Sequence, residues 1–181
     1  MAVDIIYETH SITTDNEAGI STGWLPGYLS AQGRREAREL GERWHDQGIA
    51  AVYTSDLNRA VETAAIAFPD GPPPLYQDLR LRECNYGELN GQPAELVAAR
   101  RLRHIERPFA GGQSYRQVLD ATDAFLRELA GKWDGRRILL IAHTANRWAL
   151  DCLLGGASLE ELLKVPFDWQ PGWYYTLPTP R

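Results

Sequence analysis

Three short apolar runs along the chain have the length and composition of buried β-strands. They span Ala2 to Tyr7, Ile49 to Tyr53 and Ile138 to Ala142, and they are rich in Ile, Val, Leu and Tyr. Strands that are apolar on both faces are typical of a parallel sheet covered on both sides. The aromatic run from Trp173 to Leu177 predicts one further strand near the end of the chain.

Between these runs, apolar residues recur at the three- and four-residue spacing of amphipathic helices. Ser30 is a suitable N-cap for a helix that ends at Gly48, and Asp56 is the predicted N-cap of the next helix. Four more helices are predicted at about 93–104, 114–132, 145–154 and 158–164. The alternation of strands and helices predicts an α/β fold, a three-layer α/β/α sandwich with a mostly parallel central sheet, in one domain spanning residues 1–181.

Composition and charge exclude several classes of partner. Hydrophobic residues make up 44% and charged residues 24% of the 181 residues, the balance of a soluble globular protein. The net charge is -5 without a basic tract, so we expect no nucleic-acid partner. No stretch approaches the roughly 18 apolar residues of a membrane span, so we expect no membrane partner and a cytoplasmic location. An exposed aromatic surface near the C-terminus would permit a homodimer.

Polar side chains follow each of the three main predicted strands. His10 follows the first strand, Ser55 and Arg59 follow the second, and His143 follows the third. Parallel strands present their carboxyl ends at one edge of the sheet, where ligands bind in folds of this class. We therefore expect two imidazoles and a guanidinium to converge at that edge.

Several short motifs accompany these strand ends. Thr9-His10-Ser11-Ile12-Thr13 is followed by Asn16, and a loop reads STGW at 21–24. YTSDLNRAVETA occupies 53–64, LRECNYGELNG occupies 81–91, and Ala-His occupies 142–143. In this order, from about residue 4 to residue 155, the motifs resemble those of the histidine phosphatase superfamily, also called the phosphoglycerate mutase-like family.

The resemblance implies a phosphoglycerate mutase-like fold and a role for each matching residue. His10 would be the nucleophile, Arg59 would bind phosphate, Glu83 would be the general acid and His143 would be the second catalytic histidine. Arg59 and a protonated His143 would supply the positive charge that a phosphoryl transition state needs. This chemistry requires no metal and no cofactor. The further predicted contacts are Thr9 and Asn16 for phosphate, and Ser11, Thr22, Gly23 and Arg147 for substrate.

The chain departs from the family's pattern around the nucleophile. Thr9 stands where the family has arginine, and Ser11 and Ile12 stand where it has glycine and glutamate. A lost charge-assisted hydrogen bond costs roughly 1.5–3 kcal/mol, about one to two powers of ten in rate. Arg147, one helical turn beyond His143, or Arg82, beside Glu83, would restore the charge if it faced the site. The alternative for Arg147 is a structural salt bridge.

The expected function is metal-independent hydrolysis of a small phosphomonoester through a phosphohistidine on His10. The expected partner is therefore a small phosphorylated metabolite. A phosphatase is favoured over a mutase, because the short chain lacks extra substrate-gripping segments. Two alternatives remain: a degenerate member that binds a phosphorylated ligand with little turnover, and an enzyme that uses the pocket for non-phosphatase chemistry. The motifs do not identify the substrate, since loop side chains contact the leaving group.

Overall fold

The computed structural model describes residues 1–180. Its strands are β1 (Ala2–Thr9), β2 (Ile20–Ser21), β3 (Ile49–Thr54), β4 (Leu75–Gln77), β5 (Gln92–Pro93), β6 (Arg137–Ala142) and β7 (Trp173–Pro178). Its α-helices are α1 (Thr14–Glu17), α2 (Ala31–Trp44), α3 (Asn58–Ala67), α4 (Ala94–Ala98), α5 (Tyr115–Lys132), α6 (Thr144–Leu153) and α7 (Leu159–Lys164). Short 3₁₀ turns occupy Leu79–Leu81, Gly87–Leu89 and Arg101–His104.

The central sheet has five strands in the order β4-β3-β6-β1-β7. The first four are parallel, and β7 pairs antiparallel with β1 at the edge of the sheet. The predicted α/β fold with a mostly parallel sheet is confirmed. A second, two-stranded sheet joins β2 to β5 through the pair Ile20 and Pro93, and the apolar pattern does not predict it.

Alternate residues of the strands pack against helices on opposite faces of the sheet. On one face, Ile5 and Leu140 pack with Phe125 of α5. On the other face, Ile6 and Leu139 pack with residues of α2 and α3. Side chains alternate across a strand, so the near-continuous apolar runs of β1 and β6 supply both layers of the core.

Two helix starts show how local and distant contacts compete. As predicted, Ser30 caps α2, and its Oγ accepts the N–H of Gly33 at 3.1 Å. A Cβ at Gly33 would lie 1.8 Å from the carbonyl oxygen of Ile12, so glycine lets α2 approach the segment after β1. The prediction of Asp56 as the cap of α3 is wrong. Leu57 occupies that position, and the Asp56 carboxylate instead pairs with Arg82.

The remaining predicted helices agree with the structure at α5, α6 and α7, within one or two residues at each end. The helix predicted at 93–104 is wrong in length, because the segment divides into α4 and the 3₁₀ turn at Arg101–His104. Over residues 1–180, no helix combines the length and the apolar character needed to cross a bilayer.

Candidate active site

The carboxyl ends of β1 and β6 bring two histidines together. Thr9 and Ala142 are register partners at the ends of these neighbouring parallel strands. The N–H of His10 donates to the carbonyl of Ala142 at 2.9 Å, which continues the pairing by one residue. The rings of His10 and His143, one residue beyond each strand, then lie with centroids 5.2 Å apart.

His10 is held in one tautomer. Its Nδ1 lies 2.8 Å from the carbonyl oxygen of Ser11, which can only accept a hydrogen bond, so Nδ1 carries the proton. Burial and the nearby Arg59 lower the pKa of His10 to about 3, although the Ser11 carbonyl favours the charged form. The ring is therefore neutral near pH 7, with the lone pair on Nε2.

His143 is fully buried and is fixed from several sides. Its Nε2 lies 2.6 Å from Oγ of Ser55, and the hydroxyl of Tyr7 donates to its carbonyl oxygen. Ser55 Oγ also accepts the N–H of Leu57, and when its own proton goes to Nε2 the neutral ring carries its proton on Nδ1. Within residues 1–180, that Nδ1 has no hydrogen-bond partner.

The charge of His143 differs from the sequence-based expectation. Burial, together with the charges of Arg59 and His10, holds its pKa well below the usual histidine value. The expectation of a protonated His143 is therefore wrong for the unliganded protein. In the unliganded protein the ring is neutral and presents one N–H.

Arg59 lies in the first turn of α3 and is buried against a loop. Its Nη2 donates to the carbonyl of Gly23 at 2.8 Å, and its Nη1 lies 3.4 Å from the carbonyl of Leu25. Gly23 has φ +57, and a Cβ there would lie 1.8 Å from Oδ1 of Asn90, so this loop requires glycine. A guanidinium has five N–H donors, which leaves Arg59 donors for an anion beside the histidines.

The Glu83 carboxyl is held by a backbone N–H group. Its Oε1 accepts the N–H of Cys84 at 2.8 Å. The indole N–H of Trp24 donates to the Glu83 carbonyl at 2.6 Å and fixes the backbone. Burial raises the pKa of Glu83, and the Cys84 N–H and Arg59 oppose that increase.

A raised pKa at Glu83 predicts a pH-dependent stability difference for Glu83→Gln. Glutamate contributes fully to stability below about pH 4.5, and this contribution is lost as pH rises through the raised folded-state pKa. Glutamine has no such loss. Urea unfolding at pH 4 and pH 8 should show that the free energy of unfolding of the variant rises relative to that of the wild type between the two pH values. A stability difference that does not change with pH would contradict the prediction.

A cavity of about 550 Å³ opens beside His10. Thr9, Ser11 and Asn16, three of the predicted phosphate- or substrate-binding residues, line it. Asn16 forms a capping box with Thr13, in which Asn16 Oδ1 accepts the N–H of Thr13. The amide NH₂ of Asn16 therefore stays available to a ligand.

Thr22 and Gly23, both predicted to contact substrate, make internal contacts. The Thr22 hydroxyl donates to Oδ2 of Asp15 at 2.7 Å, and the Gly23 carbonyl accepts from Arg59. Through these contacts the two residues shape the loop against which Arg59 packs.

Both arginines suggested as replacements at the site form ion pairs with carboxylates. Arg147 pairs with Asp151 at 3.0 Å and lies over the ring of Trp173, so the structural salt bridge is observed, and its substrate contact stays a prediction. Arg82 forms two hydrogen bonds of 2.6 Å to the Asp56 carboxylate. The Arg147–Asp151 pair has the four-residue spacing of helix neighbours, whereas Asp56 is 26 residues from Arg82, a separation that gives no such signal.

Three positioning residues of the site have no predicted role. Ser55 contacts His143, Thr63 Oγ1 accepts the N–H of Ser11 at 3.0 Å, and Asn146 Oδ1 accepts the N–H of His143 at 3.0 Å. Ser55 directly follows β3, so its place at the strand end is a signal that the sequence does contain. Thr63 and Asn146 lie inside helices, where a polar residue carries no such signal.

The chemistry of this cluster follows from its protonation states. It combines an unprotonated imidazole nitrogen, a buried guanidinium, a neutral imidazole N–H and a carboxyl of raised pKa. In residues 1–180, no three His, Cys, Asp or Glu side chains are grouped so that they could hold a metal ion. Arg59 lies close enough to lower the pKa of both histidines, so its guanidinium supplies positive charge beside them.

Comparisons with known proteins agree with this arrangement. The family model of the histidine phosphatase superfamily (branch 1) matches residues 9–172. The chain is 30% identical over 175 residues to a 2,3-bisphosphoglycerate-dependent phosphoglycerate mutase of Bradyrhizobium sp. (strain ORS 278), covering 88% of this chain and 84% of the mutase. It is 25% identical to phosphoserine phosphatase 1 of Hydrogenobacter thermophilus over 174 residues, covering 92% of this chain and 82% of the phosphatase.

The fold agrees equally well with solved structures. The structure of YhfR from Bacillus stearothermophilus superposes with a TM-score of 0.82 at 25% identity, covering 94% of this chain and 88% of that one. The family match includes the segments that carry His10, Arg59, Glu83 and His143. On this sequence match and this fold, the chain belongs to the histidine phosphatase superfamily.

Proposed function

We propose that the protein hydrolyses a small phosphomonoester through a phosphohistidine intermediate on His10. The observation that carries the proposal is the hydrogen bond from Nδ1 of His10 to the Ser11 carbonyl, which leaves Nε2 unprotonated. A neutral imidazole that is fixed in this tautomer is a competent nucleophile toward phosphorus. Arg59 lies close enough to His10 to lower the pKa of that ring. Its guanidinium can therefore bind the oxygens of a phosphoryl group on His10.

In the first step, Nε2 of His10 forms a bond to phosphorus and the ester P–O bond breaks. The leaving alkoxide takes the proton of the Glu83 carboxyl, whose raised pKa keeps a larger fraction protonated at a given pH. In the second step, Glu83 accepts a proton from water, the water oxygen bonds to phosphorus, and the N–P bond breaks. Phosphate leaves, and His10 and Glu83 return to their starting states.

The transferring phosphoryl group spreads negative charge over its equatorial oxygens. Arg59 supplies the positive charge, and the unpartnered Nδ1–H of His143 supplies a further donor. The Thr9 hydroxyl and the Asn16 amide, both at the cavity wall, are two more donors for these oxygens. Thr9 carries no charge. Stabilisation of the phosphoryl group therefore depends on Arg59 more heavily here than in a site that has an arginine at position 9 as well.

A rapid-quench experiment tests the covalent step. The protein is mixed with 4-nitrophenyl phosphate at pH about 6 with a chelator present, and nitrophenol and phosphate are measured separately over the first turnovers. When the second step limits turnover, we expect nitrophenol to exceed phosphate by up to one equivalent per active site. We also expect a protein-bound phosphoryl group that is stable in base and labile in acid.

Two outcomes would count against the proposal. Direct transfer to water is indicated if kcat is equal for several aryl phosphates, so that loss of the leaving group does not limit turnover, and no phosphoprotein is trapped in base at any substrate concentration. A chain that only binds phosphorylated ligands is indicated if no phosphate is released from 4-nitrophenyl phosphate, sugar phosphates, nucleotides or phosphoglycerates.

A further inference from the structure

The cavity beside His10 has walls that the phosphoryl chemistry does not use. Phe167 and Trp169, in the segment before β7, form one wall, and their side chains are exposed by 40% and 56%. The acidic side chains of Glu36 and Glu39, on α2, form the other. Arg59, Glu83 and His143 are absent from the lining, which reaches the site at Thr9, His10 and Ser11.

The charge of this cavity is negative. Glu8 and Arg43 also line it, but Glu8 Oε1 accepts two hydrogen bonds from Arg43 and one from Trp44, so the pair is neutral. Glu36 accepts hydrogen bonds only from neutral donors, the N–H of Ile12 and the amide of Gln32. Within residues 1–180, Glu39 has no ion pair.

The floor of the cavity holds polar groups without partners. Ser11 is only 6% exposed and Thr9 only 9%, yet neither hydroxyl has a hydrogen-bond partner among the described residues. A hydroxyl without a partner in the protein is available to water or to a ligand in the cavity. These two hydroxyls lie next to the nucleophile, at the junction between the phosphoryl site and the acidic and aromatic walls.

Carboxylates beside exposed aromatic rings form an environment that favours positively charged ligands. Both attract an organic cation, the carboxylates by charge and the ring faces through their quadrupole. Both disfavour an anion, because a carboxylate or second phosphate on the ligand would face Glu36 and Glu39. The same cation would also lie close to the phosphoryl group, where its charge would add to that of Arg59.

We infer that the cavity beside His10 receives a positively charged part of the substrate, so that the preferred substrate is a phosphomonoester of an alcohol bearing an ammonium group. This inference rests on the proposed function. It identifies the leaving group as cationic, in contrast to an acid such as glycerate. The ammonium group pairs with Glu36 and Glu39, and the carbon skeleton packs against Phe167 and Trp169.

A matched pair of aryl phosphates tests the inference. O-phosphotyramine and 3-(4-phosphonooxyphenyl)propanoate share ring and ester, and one ends in an ammonium group while the other ends in a carboxylate. We expect kcat/KM to favour the ammonium ester by at least about tenfold in low salt, and the preference to shrink as salt rises. Equal values for the two esters would overturn the inference and leave the proposed function intact.

Variants on α2 test whether the preference for the ammonium ester comes from the cavity. Glu39→Gln and Glu36→Gln should each reduce the ratio of the two kcat/KM values several-fold, mainly by lowering the value for the ammonium ester. Glu42→Gln is the matched control, because Glu42 is exposed on the same helix and lies outside the cavity lining. A ratio that changes equally in Glu42→Gln would show a general effect of helix charge and would overturn the assignment.

A binding measurement separates this inference from the proposed function. Tyramine, which lacks the phosphate, is titrated into the wild type and Glu39→Gln by calorimetry. If neither ester is hydrolysed, the proposed function fails. Tyramine binding that weakens in Glu39→Gln then still supports a cation site, and absence of binding overturns it.

Discussion

His10→Ala is expected to lower phosphate release from an aryl phosphate by about 10³-fold to 10⁶-fold, the range seen when a covalent nucleophile is removed. The reason is that Nε2 of His10 forms the bond to phosphorus, and no neighbouring group can replace it. His143 lies 5.2 Å away between ring centroids, but its Nε2 is engaged by Ser55. The measurement is steady-state kcat/KM at pH about 6, with phosphate release followed directly.

His45→Ala is the matched control for this experiment. His45 is exposed on the surface, where its Nε2 contacts the adjacent Asp46 at 2.9 Å. We expect its kcat/KM to equal that of the wild type and its thermal midpoint to change little. A His10→Ala variant that is folded and retains more than about a tenth of the activity would refute a phosphohistidine on His10.

Arg59→Met is expected to lower kcat/KM by about 10³-fold to 10⁵-fold, the range for an arginine that stabilises a phosphoryl transition state. Methionine keeps much of the apolar stem and removes the charge. Inorganic phosphate should also inhibit the variant much more weakly, because ground-state phosphate uses the same guanidinium. Steady-state kinetics with phosphate as a competitive inhibitor measures both effects.

The internal contacts of Arg59 require a control for folding. Its hydrogen bonds to the carbonyls of Gly23 and Leu25 hold the loop, so part of the loss comes from loop movement. Arg59→Lys keeps the positive charge but loses the paired N–H donors of the guanidinium. We expect its activity to lie between those of the wild type and Arg59→Met. Arg127→Met, at an exposed ion pair with Asp123, should leave activity unchanged. An Arg59→Met variant within tenfold of the wild type would show that phosphate is bound elsewhere.

Thr9 is the reason that a large loss of activity is expected when Arg59 is replaced. The threonine presents one hydroxyl where the related motif has a guanidinium, and both suggested replacements are engaged elsewhere, Arg147 with Asp151 and Arg82 with Asp56. The site therefore has little redundancy in positive charge. A substrate that carries its own cation would offset this, which is why the negative cavity beside His10 matters for the choice of substrate.

The sequence by itself determined the layered α/β fold and the positions of the two histidines. Apolar runs of five or six residues form buried strands because of their local composition, and parallel strands end at one edge regardless of what else the chain contains. His10 and His143 each stand one residue after such a strand, so their proximity follows from local pattern and one general rule of topology.

Tertiary structure alone decided the charges and the shape of the site. Asp56 could cap α3, but a distant Arg82 competes for its carboxylate, and that competition depends on packing between segments far apart in the chain. The neutral state of His143 likewise results from burial and from Arg59. The cavity forms where α2 meets the segment carrying Phe167 and Trp169, more than a hundred residues later. Packing between distant segments determines the solvation of each ionisable side chain and the charges next to it. The local sequence does not predict either of these.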